Sequence, residues 1–202
     1  MPSPLQPHRR HPLLPLPTLL CWLLLMVVGG APAATVDGLF SAEVPVAGRQ
    51  TEQRNKAIAA AYAVVLGKVS GYPRIAERPE LAGDLGDAPR YVEQFRYRSD
   101  PAQLEAGVAE PDQLLRVQFD ANAVMRVLRQ HRLPIWGSTR PAVLVWLGLE
   151  QGGRRNLASA DAEPKAWAAL QRGAEARGLP LLLPLFDLED HDQLQAGDLW
   201  GD

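Results

Sequence analysis

Residues 113–131 read QLLRVQFDANAVMRVLRQH, and two different periodicities meet inside them. Leu115, Val117 and Phe119 fall on one side of an extended chain, and Arg116 and Gln118 on the other, the period-2 alternation of a half-buried strand. Past Asp120 the apolar positions become Val124, Val127 and Leu128, with His131 in register, which is the spacing of one helical face. Asp120 stands where its carboxylate can accept from the free amides of the first turn. A strand running into an amphipathic helix, each with one apolar side, predicts two layers around a shared core.

The stretch before it supplies the partners. Tyr91, Phe95 and Tyr97 share one side, with Gln94, Arg96 and Arg98 opposite, so a second antiparallel strand is predicted, joined through residues 99–112. Ile58, Tyr62, Val65 and Val69 stack on one face of a helix over residues 51–71. Thr51 is the expected cap, Glu52 lies in the first turn, and Gly71 is the stop. Residues 36–46, carrying Leu39, Phe40, Val44 and Val46, read as a strand, and Pro45 points to a sheet edge. Residues 72–89, rich in Pro, Gly and charge, read as a long loop or short helical turns. The order strand-helix-strand-strand-helix over residues 34–133 is an α+β pattern in two layers.

After about residue 134 the signals change. Residues 142–149 form a continuous apolar run, as expected of a strand covered on both faces, and Gly152-Gly153 marks a turn. Pro164 opens a helix with Trp167, Leu170 and Ala174 on one stripe, stopped by Gly178. Residues 179–186 read as a second buried strand despite Pro180 and Pro184. Strand, helix, strand predicts a partial parallel βαβ unit, three-layer and α/β-like, over residues 134–202. Two strands and one helix do not complete a sheet, so this unit is expected either to borrow strands or to be a shortened form.

Residues 1–33 read as a secretory signal peptide. Arg9 and Arg10 form the positive region, the apolar stretch follows, and Ala31-Pro32-Ala33 supplies the small residues of a cleavage site before Ala34. The apolar run is shorter than the roughly 20 residues that span a bilayer, so no stable membrane span is expected after cleavage. Cys21 is preceded by Leu20 rather than a small residue, which argues against a lipid anchor. The expected compartment is the periplasm.

Composition narrows the chemistry. The 202 residues carry 21 Lys+Arg, 23 Asp+Glu and a net charge of -2, so nothing supports a nucleic-acid partner. One cysteine excludes a disulfide framework and a cysteine zinc site. Gly67-Lys68-Val69-Ser70 fails as a phosphate loop: Tyr62 replaces the leading glycine, and the segment ends a helix instead of opening one. Ser70-Gly71 fails as a nucleophile elbow, since Lys68 stands where glycine is needed. Once the leader is gone only His131 and His191 remain, and His131 is expected to meet the last carbonyls of its helix. No catalytic residue, metal set or cofactor is assigned.

Two clusters remain as binding candidates. Asp187, Glu189, Asp190 and His191 follow a predicted strand, the end of an open α/β sheet where ligands bind, and their oxygens suit hard cations or a polar ligand. Arg96 and Arg98, with Arg116 across the hairpin, could form an anion-binding surface, although alternating polar positions on a solvated sheet face are routine. Trp136, Trp146 and Trp167 read as core or junction residues.

Several segments resemble an uncharacterised family of secreted Gram-negative bacterial proteins, domain of unknown function two thousand sixty-six. They are Leu39-Phe40 with Val44-Pro45-Val46, Gly67-Lys68-Val69-Ser70-Gly71, Pro134-Ile135-Trp136-Gly137, Arg140-Pro141-Ala142-Val143, and Gly178-Leu179-Pro180. The resemblance implies no activity, cofactor or catalytic residue. It implies that the chain matches the front portion of longer proteins. By element order alone, the chain is also similar to small α/β modules of periplasmic and outer-membrane assembly proteins. The function expected is that of an exported, non-enzymatic envelope protein acting as an interaction or assembly module on envelope proteins. The alternative is a periplasmic binding protein or hydrolase using residues 187–192.

Overall fold

The computed structural model describes residues 33–100, 104, 112–186 and 196–200. The longest helix among them is α1 (Thr51–Ser70), whose buried stripe of Ile58, Ala61, Tyr62, Val65 and Val69 follows the predicted face. Gly71 ends it in the left-handed region (φ 77°) and donates its amide to the Gly67 carbonyl at 2.9 Å, the turn that a Cβ makes costly. The start differs from expectation. Gln50 occupies the cap with extended backbone and no side-chain bond, and Thr51 is already helical, a conformation in which a hydroxyl cannot cap the turn ahead of it.

Three antiparallel strands form the second layer: β2 (Ser41–Pro45), β3 (Val92–Ser99) and β4 (Gln113–Phe119), in the order β2-β4-β3. Leu115, Val117 and Phe119 of β4 are fully buried against α1, as the alternation predicts. Pro45 ends an edge strand, where its missing donor costs no ladder bond. The strand expected over residues 36–46 is broken, because Gly38 (φ 67°) turns the chain and Ser41 donates back to the Gly38 carbonyl. A separate strand β1 (Ala33–Thr35) results, antiparallel to β5 (Thr139–Pro141). A register shift between Val92 and Gln94 marks edge strand β3. Phe95 stays 42% exposed there, roofed by the Arg54 guanidinium 5.5 Å from its ring centre.

Residues 72–91 form short turns and one short helix, α2 (Ala82–Gly86). Helix α3 (Ala121–Gln130) starts as predicted: Asp120 Oδ1 accepts from the amides of Asn122 and Ala123 at 2.8 and 3.3 Å. His131 does not bond the carbonyls of its helix through its ring. Its Nε2 meets Asp84 Oδ2 at 2.8 Å, tying α3 to α2.

Beyond Leu133, β5 precedes the strand predicted over residues 142–149, and that apolar run is itself divided between β6 (Val143–Leu144) and the start of β7 (Gly148–Gln151). Strand β7 makes an antiparallel hairpin with β8 (Arg154–Leu157) through Gly152 and Gly153, both at positive φ, as a two-residue mirror-image turn requires. Trp200 packs over Gly148, with Arg155 above its ring. Helix α4 (Pro164–Glu175) opens on Pro164 and buries Trp167, whose Nε1 donates to the Ala158 carbonyl at 3.0 Å. Gly178 (φ 64°) closes it: its amide bonds Glu175 and the Leu179 amide bonds Ala174, a Schellman arrangement.

The expected parallel pairing exists but is minimal. Strand β6 pairs with β9 (Leu181–Leu182) over two residues each. The expectation of strands buried on both faces is overturned: Val143, Leu144 and Leu182 are 41%, 51% and 44% exposed, and Leu185 is 85% exposed. No further strand lies beside the pair among the described residues, and these side chains stay partly open to solvent. Mixed helices and small sheets make the fold α+β. No helix among the described residues is long and apolar enough to cross a membrane.

Candidate functional site

The carboxyl ends of α1 and α4 meet at one buried cation. Arg140 enters from the middle of β5 with 1% of its surface exposed. Its Nε donates to the Gly137 carbonyl (2.9 Å), Nη1 to Gly178 (2.7 Å) and Arg177 (3.2 Å), and Nη2 to Lys68 (2.6 Å) and Trp136 (3.1 Å). The guanidinium also lies 4.0 Å from the Trp136 ring centre. No carboxylate is among these partners. The counter-charge is the negative end of two helix dipoles, concentrated on terminal carbonyls. Burial draws the Arg140 pKa below its ordinary value, yet guanidinium remains charged at any working pH.

A second buried cation sits on the same helix end. Lys68 is 9% exposed, and its Nζ donates to the Ser41 carbonyl at 2.9 Å. Burial lowers its pKa, the charge of Glu175 opposes that, and Arg116 and Arg140 reinforce it.

Around Arg140 the chain approaches very closely. A Cβ on Gly178 would lie 2.5 Å from Arg140 Nη1, and one on Gly71 would lie 3.3 Å from Trp136 Cε3. The Trp136 amide bonds the Val69 carbonyl at 2.6 Å. The segments separated in sequence as Gly67–Gly71, Pro134–Gly137, Arg140-Pro141 and Gly178-Leu179 thus converge on one point. Beside it opens a cleft of about 400 Å³, walled by Ala63, Val64, Pro73, Trp136, Ala176 and Leu179. Its walls are mostly apolar, with Arg177 the one charged residue among them, and they suit an aliphatic group but carry no carboxylate, histidine or nucleophile to act on it.

The other titratable cluster is Asp84, which accepts from Tyr91 Oη at 3.2 Å and faces His131. Burial, then the charge and hydrogen bond of Asp84, raise the Tyr91 pKa. Beneath it the Tyr62 hydroxyl is buried without a partner among the described residues. Burial, followed by the charges of Tyr91 and Asp84, raises its pKa far above the ordinary value. No group of three or more metal-binding side chains occurs among the described residues.

Asp187, Glu189, Asp190 and His191 lie outside the described residues. Arg96, Arg98 and Arg116 do share one face of the β2-β4-β3 sheet. Arg140 was visible in sequence only as part of a motif. The available signal was an arginine two positions before a long apolar run, where a charge needs buried partners.

One family model matches the chain, Domain of unknown function (DUF8605), over residues 33–137. It is not the family that the sequence motifs resemble, although it too is uncharacterised. No curated protein and no solved structure matches.

Proposed function

The chain belongs to the DUF8605 family, and we propose that it is an exported cell-envelope protein of Gram-negative bacteria, a non-enzymatic module that docks a partner protein. One observation carries the reading: the apolar parallel pair β6–β9, with Val143, Leu144, Leu182 and Leu185 exposed around it. Parallel strands are nearly always covered on both faces, and a two-stranded sheet is marginal alone. A partner that lays an apolar strand or helix on this pair removes both problems, at about 25 cal/mol for each Å² of apolar surface covered. The signal-peptide pattern of residues 1–33 supports export to the periplasm, with cleavage before Ala34.

The test places a photo-crosslinking amino acid at position 144 or 182 of the full-length product in its native host. Fractionation and N-terminal sequencing accompany it. The expected result is a mature product starting at Ala34 in the periplasmic fraction, with one dominant protein adduct from either position and none from position 154 on the opposite hairpin. A cytosolic, untrimmed product sinks the export reading. Adducts no stronger at 144 and 182 than at 154 sink the docking reading.

A further inference from the structure

The outward face of the β2-β4-β3 sheet carries an arrangement that stability alone does not explain. The registers place three rows across it: Ser41, Gln118 and Gln94; then Glu43, Arg116 and Arg96; then Pro45, Leu114 and Arg98. Arg116 on the central strand directly faces Arg96, and like charges at that cross-strand position repel. Glu43 is the only carboxylate in the three rows, and it is engaged by Arg98 Nη1 at 3.4 Å. Arg96 and Arg116 have no ion pair among the described residues. The buried Lys68 ammonium also feels Arg116 as an unfavourable charge.

Gln94, Arg96, Arg98, Arg116 and Gln118 line a recess of about 420 Å³. Every one of these side chains can donate hydrogen bonds, and two of the arginines present planar forks that no carboxylate among the described residues claims. Three guanidiniums against one carboxylate leave an excess of two positive charges. The rows hold no aromatic ring, since Phe95 and Tyr97 pair with Val117 and Leu115 on the inner side. Nothing there stacks on a base or a sugar.

We propose that this recess is a binding site for a phosphomonoester, the phosphate gripped between Arg96 and Arg116 and flanked by the amides of Gln94 and Gln118. A phosphomonoester carries close to two negative charges at neutral pH and so cancels the local excess, which a single carboxylate does not. Paired arginine forks match its oxygens bidentately. The site lies on a different sheet from β6–β9 and stands whether or not a protein docks there.

Isothermal titration of the full chain tests it, with inorganic phosphate and glycerol phosphate as probes and with chloride at matched ionic strength as the reference. The expected result is binding by both phosphates, weakened about tenfold or more in R96Q and in R116Q and unchanged in R154Q. Without ligand, R96Q and R116Q are expected to melt about 1–3 °C above the wild type, because the repulsion is gone. A merely solvated face would not couple those two results. Vesicles containing phosphatidic acid identify the source. Vesicle binding that inorganic phosphate displaces assigns the site to a lipid headgroup, and its absence alongside phosphate binding assigns it to a soluble ester. Equal phosphate affinity in R116Q and wild type, or vesicle binding indifferent to R116Q, overturns the proposal.

Discussion

Arg140 Nη2 donates to the Lys68 backbone carbonyl at 2.6 Å across 72 positions of sequence. This bond fastens β5 to the last turn of α1, and the other Nη nitrogen does the same for the end of α4. The hub is therefore a cation clamped by carbonyls.

Removing the clamp is expected to be severe. Arg140→Met leaves five carbonyl acceptors without their donor and loosens the Trp136 stack, at a cost of about 3–5 kcal/mol. Arg140→Lys recovers little, because an ammonium offers no planar fork to five acceptors. Urea denaturation measures both, and a loss under about 1 kcal/mol for Arg140→Met would contradict the clamp.

The two helix-ending glycines are expected to differ. Gly178→Ala meets both a left-handed backbone and the Arg140 guanidinium at 2.5 Å, whereas Gly71→Ala meets a left-handed backbone and only a 3.3 Å contact with Trp136. The conformational term is roughly 1–2 kcal/mol in each, so Gly178→Ala is the more destabilising by the added displacement of Arg140. Thermal melts of the two variants rank them.

Tyr62→Phe is expected to stabilise the protein. It deletes a buried hydroxyl without a partner among the described residues, a defect worth about 1–2 kcal/mol. Since the folded-state pKa of Tyr62 is raised, the folded state holds the phenol proton more tightly than the unfolded chain. That contribution is complete below the ordinary tyrosine value near pH ~10 and is lost as pH climbs past it. Stability measured from pH 8 to about pH 11 should therefore fall more steeply in wild type than in Tyr62→Phe.

Lys68 works in the opposite sense. Its folded-state pKa lies below the ordinary lysine value, so between the two values the unfolded chain binds more protons and stability rises with pH. The wild type is expected to gain on Lys68→Met as pH increases from neutrality toward ~10. Parallel slopes in urea titrations at several pH values would show that burial does not penalise the ammonium.

The apolar strand pair should be thermodynamically idle in the isolated chain. Leu182→Ser and Leu185→Ser change surfaces that are already 44% and 85% exposed, so stability is expected to stay within about 0.5 kcal/mol. The same changes should weaken the crosslinked complex. A large loss of melting temperature would instead place these side chains in the core.

Most of the two-layer unit was readable because its signals are local. The alternation of Leu115, Val117 and Phe119, the carboxylate of Asp120 and the glycine at 71 each act within one strand or one turn. Thr51 misled because Thr and Gln both stand at the helix start, and only the backbone angle decides which one caps. His131 misled for a related reason: its partner Asp84 is 47 positions away. The cationic face was half legible. Alternation placed Arg96, Arg98 and Arg116 on one side, but which arginine faces which depends on register.

By itself, then, the order of residues determined the α+β class, the main helices and the polar and apolar sides of the hairpin, since these follow from periodicity over a few neighbours. Tertiary structure alone decided that Arg140 is buried, because its partners are backbone carbonyls, which every residue carries and no sequence advertises. It also decided that Val143 and Leu144, in the apolar run after Pro141, are left exposed, because coverage depends on how many strands assemble alongside, a property of the whole sheet.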